Sequence, residues 1–310
     1  MIKLNDITKS LLRAVSGYED KEFIGAYNIR QDGECAARKS TDNIKITARE
    51  DGKSGIEVHI KPGTKGESVY IPACVSCGNV ADLTYNDFFI GEDADVTIIA
   101  GCGVHNDSES ESFHHGIHRF VMERGSKASY IEKHLGTGSG KGDRRIDPIT
   151  EIELKENSYL FMDTVQLGGV DTTDRKTVAT VASGAKLVVH ERLMTDGEDK
   201  ATTDFVVNLT GENSSAEVIS RSVARGKSKQ KFISRLIGEN VCMGHSECDS
   251  LIADEAVVFA EPALEAISPD AELIHEAAIG KIAGEQLLKL CTLGLTQEEA
   301  ERVIIDGFLS

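Results

Sequence analysis

A weak internal repeat is the feature of this sequence that most restricts its fold. A turn residue is followed by a small residue, and apolar residues stand two and four places after that small residue, as in Asp93-Ala94-x-Val96-x-Ile98. Spacings of about 20–50 residues are typical of solenoids, propellers and arrays. The five turn residues are separated by 32, 32, 27 and 29 residues and are Asp93, Gly125, Asn157, Gly184 and Asn213.

Short β-branched runs between Gly, Asp, Asn and Ser fill the chain from about residue 44 to 260, which is typical of strands joined by tight turns. With the repeat, they favour a mainly β protein, a right-handed parallel β-helix in which each coil stacks its apolar interior on the next. An ordinary β-sandwich with coincidental spacing is the alternative.

The two ends of the chain have a different pattern. Asn5 to Val15 predicts a short capped helix, and the remainder of 1–43 is polar and irregular. After the β-helix core of 44–268, residues 269–310 have helical spacing, first from Ala271 to Leu293 and then behind a Thr296-x-x-Glu299 capping box. This C-terminal helical pair predicts either a cap on the solenoid or a docking module.

Charge and composition exclude several classes of partner. The 310 residues include 51 Asp and Glu against 34 Lys and Arg, a formal charge of −17, and such a surface repels nucleic-acid phosphates. No apolar run approaches the roughly 18 residues of a membrane span, and the N-terminus lacks the apolar region of a secretion signal. Seven cysteines without a leader predict reduced thiols in the cytoplasm.

Two segments near the C-terminus carry metal-ligand chemistry. Cys248 lies in GHSECDS, residues 244–250, where thiol, imidazole and carboxylate are crowded together. Such a set could hold iron, zinc or a persulfide, although a free cysteine is often only a small buried apolar residue. His275 and Glu276 are adjacent at the start of the predicted helical region, where a solvated helix start is the simpler interpretation.

A second set combines Cys74-x-x-Cys77 with Cys102-x-x-His105. Both steps from the first pair to the second are 28 residues, close to one coil of the repeat. Stacked on one face, three thiols and one imidazole would suit zinc or an iron–sulfur cluster; buried cysteines with a nearby surface histidine are the alternative. His114, His115 and His118 follow in NDSESESFHHGIHRF, which we interpret as a His-rich surface loop.

The C-terminal third resembles the end of the SufB/SufD family of iron–sulfur cluster assembly scaffolds. The likeness rests on ECDS, PAL, AELIHEAAIGKI, EQL and an EAE-x-x-I-x-x-GF ending, in that order, and it extends loosely through ERLMTDGEDKA, SRSVARGKSKQ and EKHLGTGSGKGDRR. The resemblance implies a right-handed parallel β-helix whose C-terminal helices dock a SufC-like ABC ATPase. It also implies a homodimer or a SufB/SufD-type heterodimer.

The resemblance further implies roles for three residues. Cys248 matches the cysteine proposed to hold a persulfide or nascent cluster, and His275 with Glu276 matches the SufB His-Glu motif, which makes the site SufB-like in a compact chain. The implied protein is a scaffold and not an enzyme: a transient cluster forms from iron and the product of a sulfur donor when the partner ATPase opens the subunit interface. A structural SufD-type subunit without its own cluster and a β-helix enzyme acting on polysaccharide are the alternatives.

Overall fold

The computed structural model describes residues 3–19, 21 and 23–310, and it is a mainly β protein, a β-solenoid of about eight turns. Twenty strands and three helices lie in the described residues. The strands are β1 (Ala26–Gln31), β2 (Glu34–Lys39), β3 (Ile44–Ala48), β4 (Gly55–Ile60), β5 (Lys65–Val75), β6 (Ala81–Ile90), β7 (Asp95–His105), β8 (Ser112–Met122), β9 (Lys127–Thr137), β10 (Arg144–Ile146), β11 (Ile149–Leu154), β12 (Tyr159–Gln166), β13 (Thr172–Val181), β14 (Lys186–Thr195), β15 (Lys200–Leu209), β16 (Ser214–Ala224), β17 (Lys229–Gly238), β18 (Cys242–Ile252), β19 (Val257–Ala266) and β20 (Ala271–Gly280).

The strands form two sheets that enclose the core. Sheet I has the order β2-β1-β5-β7-β9-β12-β14-β16-β18-β20, and sheet II has the order β19-β17-β15-β13-β10-β8-β6-β4-β3, with β11 continuing the position of β10 between β8 and β13. From β5 onward the chain alternates between the sheets, and successive strands of each sheet pair in parallel. The predicted parallel β-solenoid is therefore confirmed, and the sandwich alternative is wrong.

The repeat marks one corner in five successive coils. All five turn residues have left-handed backbone, with φ between 54° and 67°, which glycine adopts at no steric cost and Asn and Asp tolerate better than other residues. The backbone N–H of each donates to a carbonyl of the next coil at 2.7–3.0 Å. The apolar pair that follows is buried and in register, so Val96 lies beside Ala128 and Ile98 beside Tyr130.

The solenoid is longer at both ends than the sequence predicts. Strands β1 and β2 lie in the segment interpreted as irregular, and Ala271–Gly280 is strand β20, not the start of a helix. The strand pairs in parallel with β18 from Cys242↔Ala271 to Leu251↔Gly280. Its alternate residues from Ala271 to Ile279 continue the inner rows of β18, so an available ladder outweighs the helical propensity of Ala, Glu and Leu.

Three helices flank the coils. Helix α1 (Asp6–Ser16) is capped by Asn5, whose side chain accepts the Thr8 N–H at 2.7 Å, and it packs on β7 at Gly103, where a Cβ would lie 2.9 Å from Leu11 Cβ. The predicted N-terminal helix and C-terminal pair are confirmed. No helix in the described part of the chain is long and apolar enough to cross a membrane.

The C-terminal helices are α2 (Gly284–Thr292) and α3 (Gln297–Phe308). The predicted capping box at the start of α3 is present, with Thr296 and Glu299 each bonding the other's backbone N–H. Helix α3 packs on the solenoid through Ile305, beside Val223. Helix α2, which the structure describes in full, buries none of its residues. The pair therefore sits on the coils through α3 and leaves α2 exposed.

Candidate functional site

The interior of the solenoid is divided lengthwise into an apolar half and a polar half. In β9, β12 and β16 of sheet I two apolar inward-facing side chains are followed by two polar ones, and β7, β14 and β18 also carry polar or thiol side chains at these later inward positions; in β9, Ala128 and Tyr130 are followed by Glu132 and His134, all buried. We call the later set the polar stripe. Its residues are Cys102, Glu132, His134, Thr164, Gln166, Glu191, Ser220, Ser222, Cys248 and Ser250.

At the C-terminal end of the stripe, Cys248 and His275 face the interior. Cys248 is buried in β18, where it pairs in register with Ser220 of β16 and Ala277 of β20. His275 pairs with Ser246, so both side chains point inward on neighbouring strands. Neither ring nitrogen of His275 reaches solvent or has a hydrogen-bond partner among the described residues. A buried polar atom without a partner costs free energy, and a bound ligand would remove that cost.

Glu276 lies on the opposite face, because successive residues of a strand alternate sides. There its Oε2 is 3.3 Å from Nε2 of His245. Glu247 completes an outer trio, in which one ligand atom from each residue lies within 4.8 Å of the others. The structure thus divides the three residues of the implied site into an inner pair, Cys248 and His275, and an outer carboxylate. Imidazole and carboxylate donors together suit Fe²⁺.

The inner pair differs in protonation at neutral pH. Burial, and then the negative charge of Glu191, raise the pKa of the Cys248 thiol to about 11. Burial, and then the neighbouring His245, lower the pKa of His275. At pH 7 the thiol is therefore protonated, and the imidazole is neutral and carries the lone pair that a metal ion requires.

The four residues of the predicted Cys74/Cys77/Cys102/His105 set do not converge. Cys102 pairs with Ala73, so the coil step is 29 residues and not the 28 that the set requires, and the difference of one residue puts Cys74 on the outer face beneath α1. Cys77 is exposed beside Asp32, and His105 bonds Asp107 at 2.9 Å. Only Cys102 belongs to the interior.

The His-rich segment is a strand and not a surface loop. It forms most of β8, in which His114 and His118 are buried. Burial alone would raise the pKa of the Cys102 thiol, but the nearby imidazoles of His114 and His134 lower it to about 7. Sequence reasoning missed this cluster because inward polar residues make a strand resemble a loop. The repeat itself could have revealed the cluster. Continuing each apolar pair in steps of two residues gives the next inward-facing positions, which include Glu132 and His134.

Ion pairs connect this cluster to the C-terminal end of the stripe. The Arg175 guanidinium bonds Glu132 at 2.8 Å and lies 3.5 Å from Glu191. Glu191 accepts hydrogen bonds from Ser220 at 2.7 Å and from Thr203 at 2.9 Å. Because Ser220 is the register neighbour of Cys248, polar side chains follow one another inside the coils between the two buried thiols.

The fold and these sites together define a β-solenoid protein with thiol, imidazole and carboxylate donors in its interior and at its open end. Comparison with known proteins gives the family. The chain belongs to the SufBD family, since the family model described as "SUF system FeS cluster assembly, SufBD core domain" matches residues 79–308. This is a scaffold-type family of iron–sulfur cluster assembly, as the sequence resemblance predicts.

Relatives from archaea and bacteria agree with this assignment. An iron–sulfur cluster assembly SufBD family protein of Archaeoglobus fulgidus is 32% identical over 285 residues, which cover 88% of this chain and 72% of the relative. A SufBD family protein of Methanothermobacter thermautotrophicus is 28% identical over 278 residues, with 88% of this chain and 66% of the relative covered. The SufD protein of Bacillus subtilis is 24% identical over 242 residues, with 67% and 54% covered. The chain thus spans about two thirds of the length of the Methanothermobacter relative.

Proposed function

We propose that this protein is the scaffold subunit on which an iron–sulfur cluster is assembled at the open end of the solenoid. The observation that carries the proposal is the inner pair: His275 presents two buried ring nitrogens without partners on the strand next to that of Cys248. A thiol and an imidazole on one face suit a cluster or its iron. The protein supplies ligands and no catalytic centre, and its cluster is transient because a scaffold must release what it builds.

The outer trio gives the site an entry point for iron. Its carboxylates and imidazole are hard and borderline donors for Fe²⁺, whereas the inner thiol binds sulfide-rich iron. The two groups are separated only by strand β20, since His275 and Glu276 are consecutive residues on opposite faces. Because β20 has one strand neighbour among the described residues, a small displacement of this edge strand would let the inner and outer donors reach the same ion.

A second subunit would complete the site. Strands β19 and β20 end the two sheets, and each presents an unpaired ten-residue backbone edge in the described structure. Leu264 and Ile279 continue inward rows of the coils and are still 43% and 45% exposed. An unprotected edge with exposed apolar residues is typical of a surface that pairs with another chain. We propose a homodimer or a SufB/SufD-type heterodimer through this end.

The proposed dimer interface can be tested by introducing charged side chains at its exposed apolar residues. We expect the double variant Leu264→Lys/Ile279→Lys to elute as a monomer in size-exclusion chromatography with light scattering, because buried lysines at a β edge oppose pairing. The control is Leu83→Lys, an equally exposed leucine on β6, which keeps the wild-type state. A wild type that dimerises only with a second SufBD-family subunit assigns the heterodimer. A wild type that stays monomeric both alone and in that mixture contradicts the proposal.

The helical pair is the proposed docking site for a SufC-like ABC ATPase. Leu288 of α2 and Leu293 of the following turn are 66% and 75% exposed. Helix α2 buries none of its residues against the solenoid. Exposed apolar side chains on one helix suit a groove of a partner protein. Only three residues join β20 to α2, so a nucleotide-driven movement of the ATPase on α2 would pull directly on the edge strand that carries His275 and Glu276.

Docking predicts a selective loss of binding. We expect Leu288→Glu to abolish co-purification with the ATPase, because a carboxylate would be buried without a partner in the interface. The fold is expected to stay intact, as the side chain is solvent-exposed in the free chain. Leu167→Glu is the matched control, since Leu167 is 48% exposed at the end of β12 and far along the chain from α2. Equal ATPase binding by Leu288→Glu and wild type would remove the helices from the interface.

The scaffold role itself is tested by anaerobic reconstitution with ferrous iron and sulfide, followed by transfer to an apo-acceptor. A cluster spectrum and a functional acceptor support the proposal. The alternative is a structural SufD-type subunit, favoured by the likeness to the Bacillus subtilis SufD protein, and it predicts neither. Family membership in iron–sulfur assembly removes the reason to consider a polysaccharide-acting enzyme.

A further inference from the structure

We propose that Cys102, His114, Glu132 and His134 bind a divalent transition-metal ion inside the solenoid, at a site separate from the open end. One ligand atom from each of Cys102, Glu132 and His134 lies within 4.8 Å of the others, and all three side chains are buried. His114, on β8 of the facing sheet, is also buried and interacts electrostatically with the Cys102 thiol. The inference does not depend on the proposed cluster site, because it uses none of the same residues.

Two imidazole nitrogens close to the Glu132 carboxylate lack hydrogen-bond partners among the described residues. They are Nε2 of His134 and Nε2 of His118, and both are shielded from solvent. Nε2 of His134 is 3.4 Å from Glu132 Oε1, but without the alignment of a hydrogen bond. Such a contact leaves a buried ring nitrogen unsatisfied, which natural proteins avoid, whereas a metal ion shared by the nitrogen and the carboxylate would satisfy both.

The space between the histidines is created by a glycine. Gly116 lies between His114 and His118 on the inner face of β8. A Cβ added there would lie 2.8 Å from Nε2 of His118 and 3.3 Å from Nε2 of His114. Both imidazoles therefore direct Nε2 toward the place that a side chain would otherwise occupy, and any residue larger than glycine would close it.

Hydrogen bonds at the other ring nitrogen orient the two ligand histidines. Nδ1 of His114 lies 3.1 Å from Asp82, whose carboxylate is paired with Arg30 at 2.6 Å. Nδ1 of His134 lies 3.3 Å from Gln166 Oε1, which accepts from the tautomer protonated at Nδ1; Arg175 Nη2, which can only donate, lies at the same distance and makes no bond to that tautomer. A histidine that donates Nδ1–H to a carboxylate or amide oxygen presents the Nε2 lone pair, which is the usual arrangement around protein-bound metals.

The donor set selects the metal class. One thiolate, two imidazoles and one carboxylate suit zinc or ferrous iron, and four protein donors without an open position are typical of a structural site. Because every donor is buried, we expect the ion to enter as the chain folds and to resist removal afterwards. Zinc and iron are distinguished by quantifying both.

The first test is metal content. The full chain is produced with zinc or with iron in the medium, treated with a chelator and analysed by mass spectrometry of the elements. We expect about one ion per chain in wild type, as for a closed four-ligand site, and background levels in Cys102→Ser and Glu132→Gln. Cys77→Ser, at an exposed thiol, and Cys248→Ala, at the open end, keep the wild-type content and separate this site from the cluster site.

Two further variants and a spectroscopic probe guard against failure to fold. Gly116→Ala keeps every donor and places a methyl group 3.3 Å from Nε2 of the donor His114, so it is expected to fold and to lose the ion. Refolding wild type with Co²⁺ should give a thiolate-to-cobalt absorption band that Cys102→Ser lacks. Wild type without zinc, iron or cobalt by either route would show a metal-free thiol–imidazole cluster and overturn the proposal. Metal retained in both Gly116→Ala and Cys102→Ser would overturn it equally.

Discussion

Replacing Cys248 with alanine is expected to abolish the visible absorption of a reconstituted cluster and its transfer to an apo-acceptor. The thiol is the sulfur donor of the inner pair, and the other inward-facing cysteine of β18, Cys242, lies opposite Ala271, four residues from the position opposite His275. His275→Ala should lower the yield while leaving some thiolate-bound iron, because it removes one ligand of the pair. Iron and sulfide are quantified after gel filtration under anaerobic conditions.

The control for this prediction is Cys242→Ala. Cys242 lies on the same strand and the same inward face, at the far end of β18 from Cys248, so it tests the effect of losing a buried thiol as such. We expect it to retain the cluster. Equal cluster yield and equal transfer from wild type and Cys248→Ala would show that Cys248 is not a ligand of the cluster.

Cluster loading should also increase with pH. The pKa of Cys248 is raised to about 11, so iron must displace a proton, and the thiolate fraction grows about tenfold for each pH unit below that value. The initial rate of loading is therefore expected to be higher at pH 8.5 than at pH 7. A rate that is constant over this range would show that the thiol is not the group that takes up iron.

Replacing Arg175 with glutamine is expected to cause the largest loss of stability of any single substitution that we consider. The guanidinium is buried between Glu132 and Glu191, which are themselves buried. Removing it leaves two carboxylates in the interior without their cation, and breaking a buried pair of this kind costs about 3–5 kcal/mol. Urea unfolding followed by circular dichroism measures the shift of the midpoint.

Arg124→Gln is the matched control, because it makes the same substitution in an exposed ion pair. Arg124 pairs with Glu92 at the surface, where the two side chains are 66% and 45% exposed. Surface pairs contribute little, so the midpoint should stay near that of wild type. Similar midpoints for the two variants would mean that water reaches Arg175 and that the interior is less dry than the structure indicates.

The sequence predicts the coils well because their corners have strict requirements. A left-handed backbone position selects Gly, Asn or Asp, and the apolar pair behind it must reach the core, so both leave a periodic signal. Strand β20 escapes prediction for the opposite reason. Its Ala, Glu and Leu residues favour a helix. It is a strand because it pairs with β18, and local propensity takes no account of such pairing.

The sites were predictable only in part. Cys248, His275 and Glu276 are recognisable by family resemblance, but the division between inner pair and outer carboxylate depends on strand parity, which the helical interpretation conceals. In the Cys74/Cys77/Cys102/His105 set, a coil step of 29 instead of 28 residues reverses the face of one cysteine. A hydrophobicity pattern does not predict the burial of Glu132 and His134, since it assumes that buried residues are apolar.

The regular stacking of strands in sheet I makes this protein a molecular ruler. Cys102 lies on β7 and Cys248 on β18, with β9, β12, β14 and β16 between them. At about 4.8 Å per strand, five steps hold the two sulfur atoms about 24 Å apart. Inserting or deleting one whole coil between them would therefore change the distance between the two sulfur atoms by one strand spacing. The residues around each thiol would stay the same.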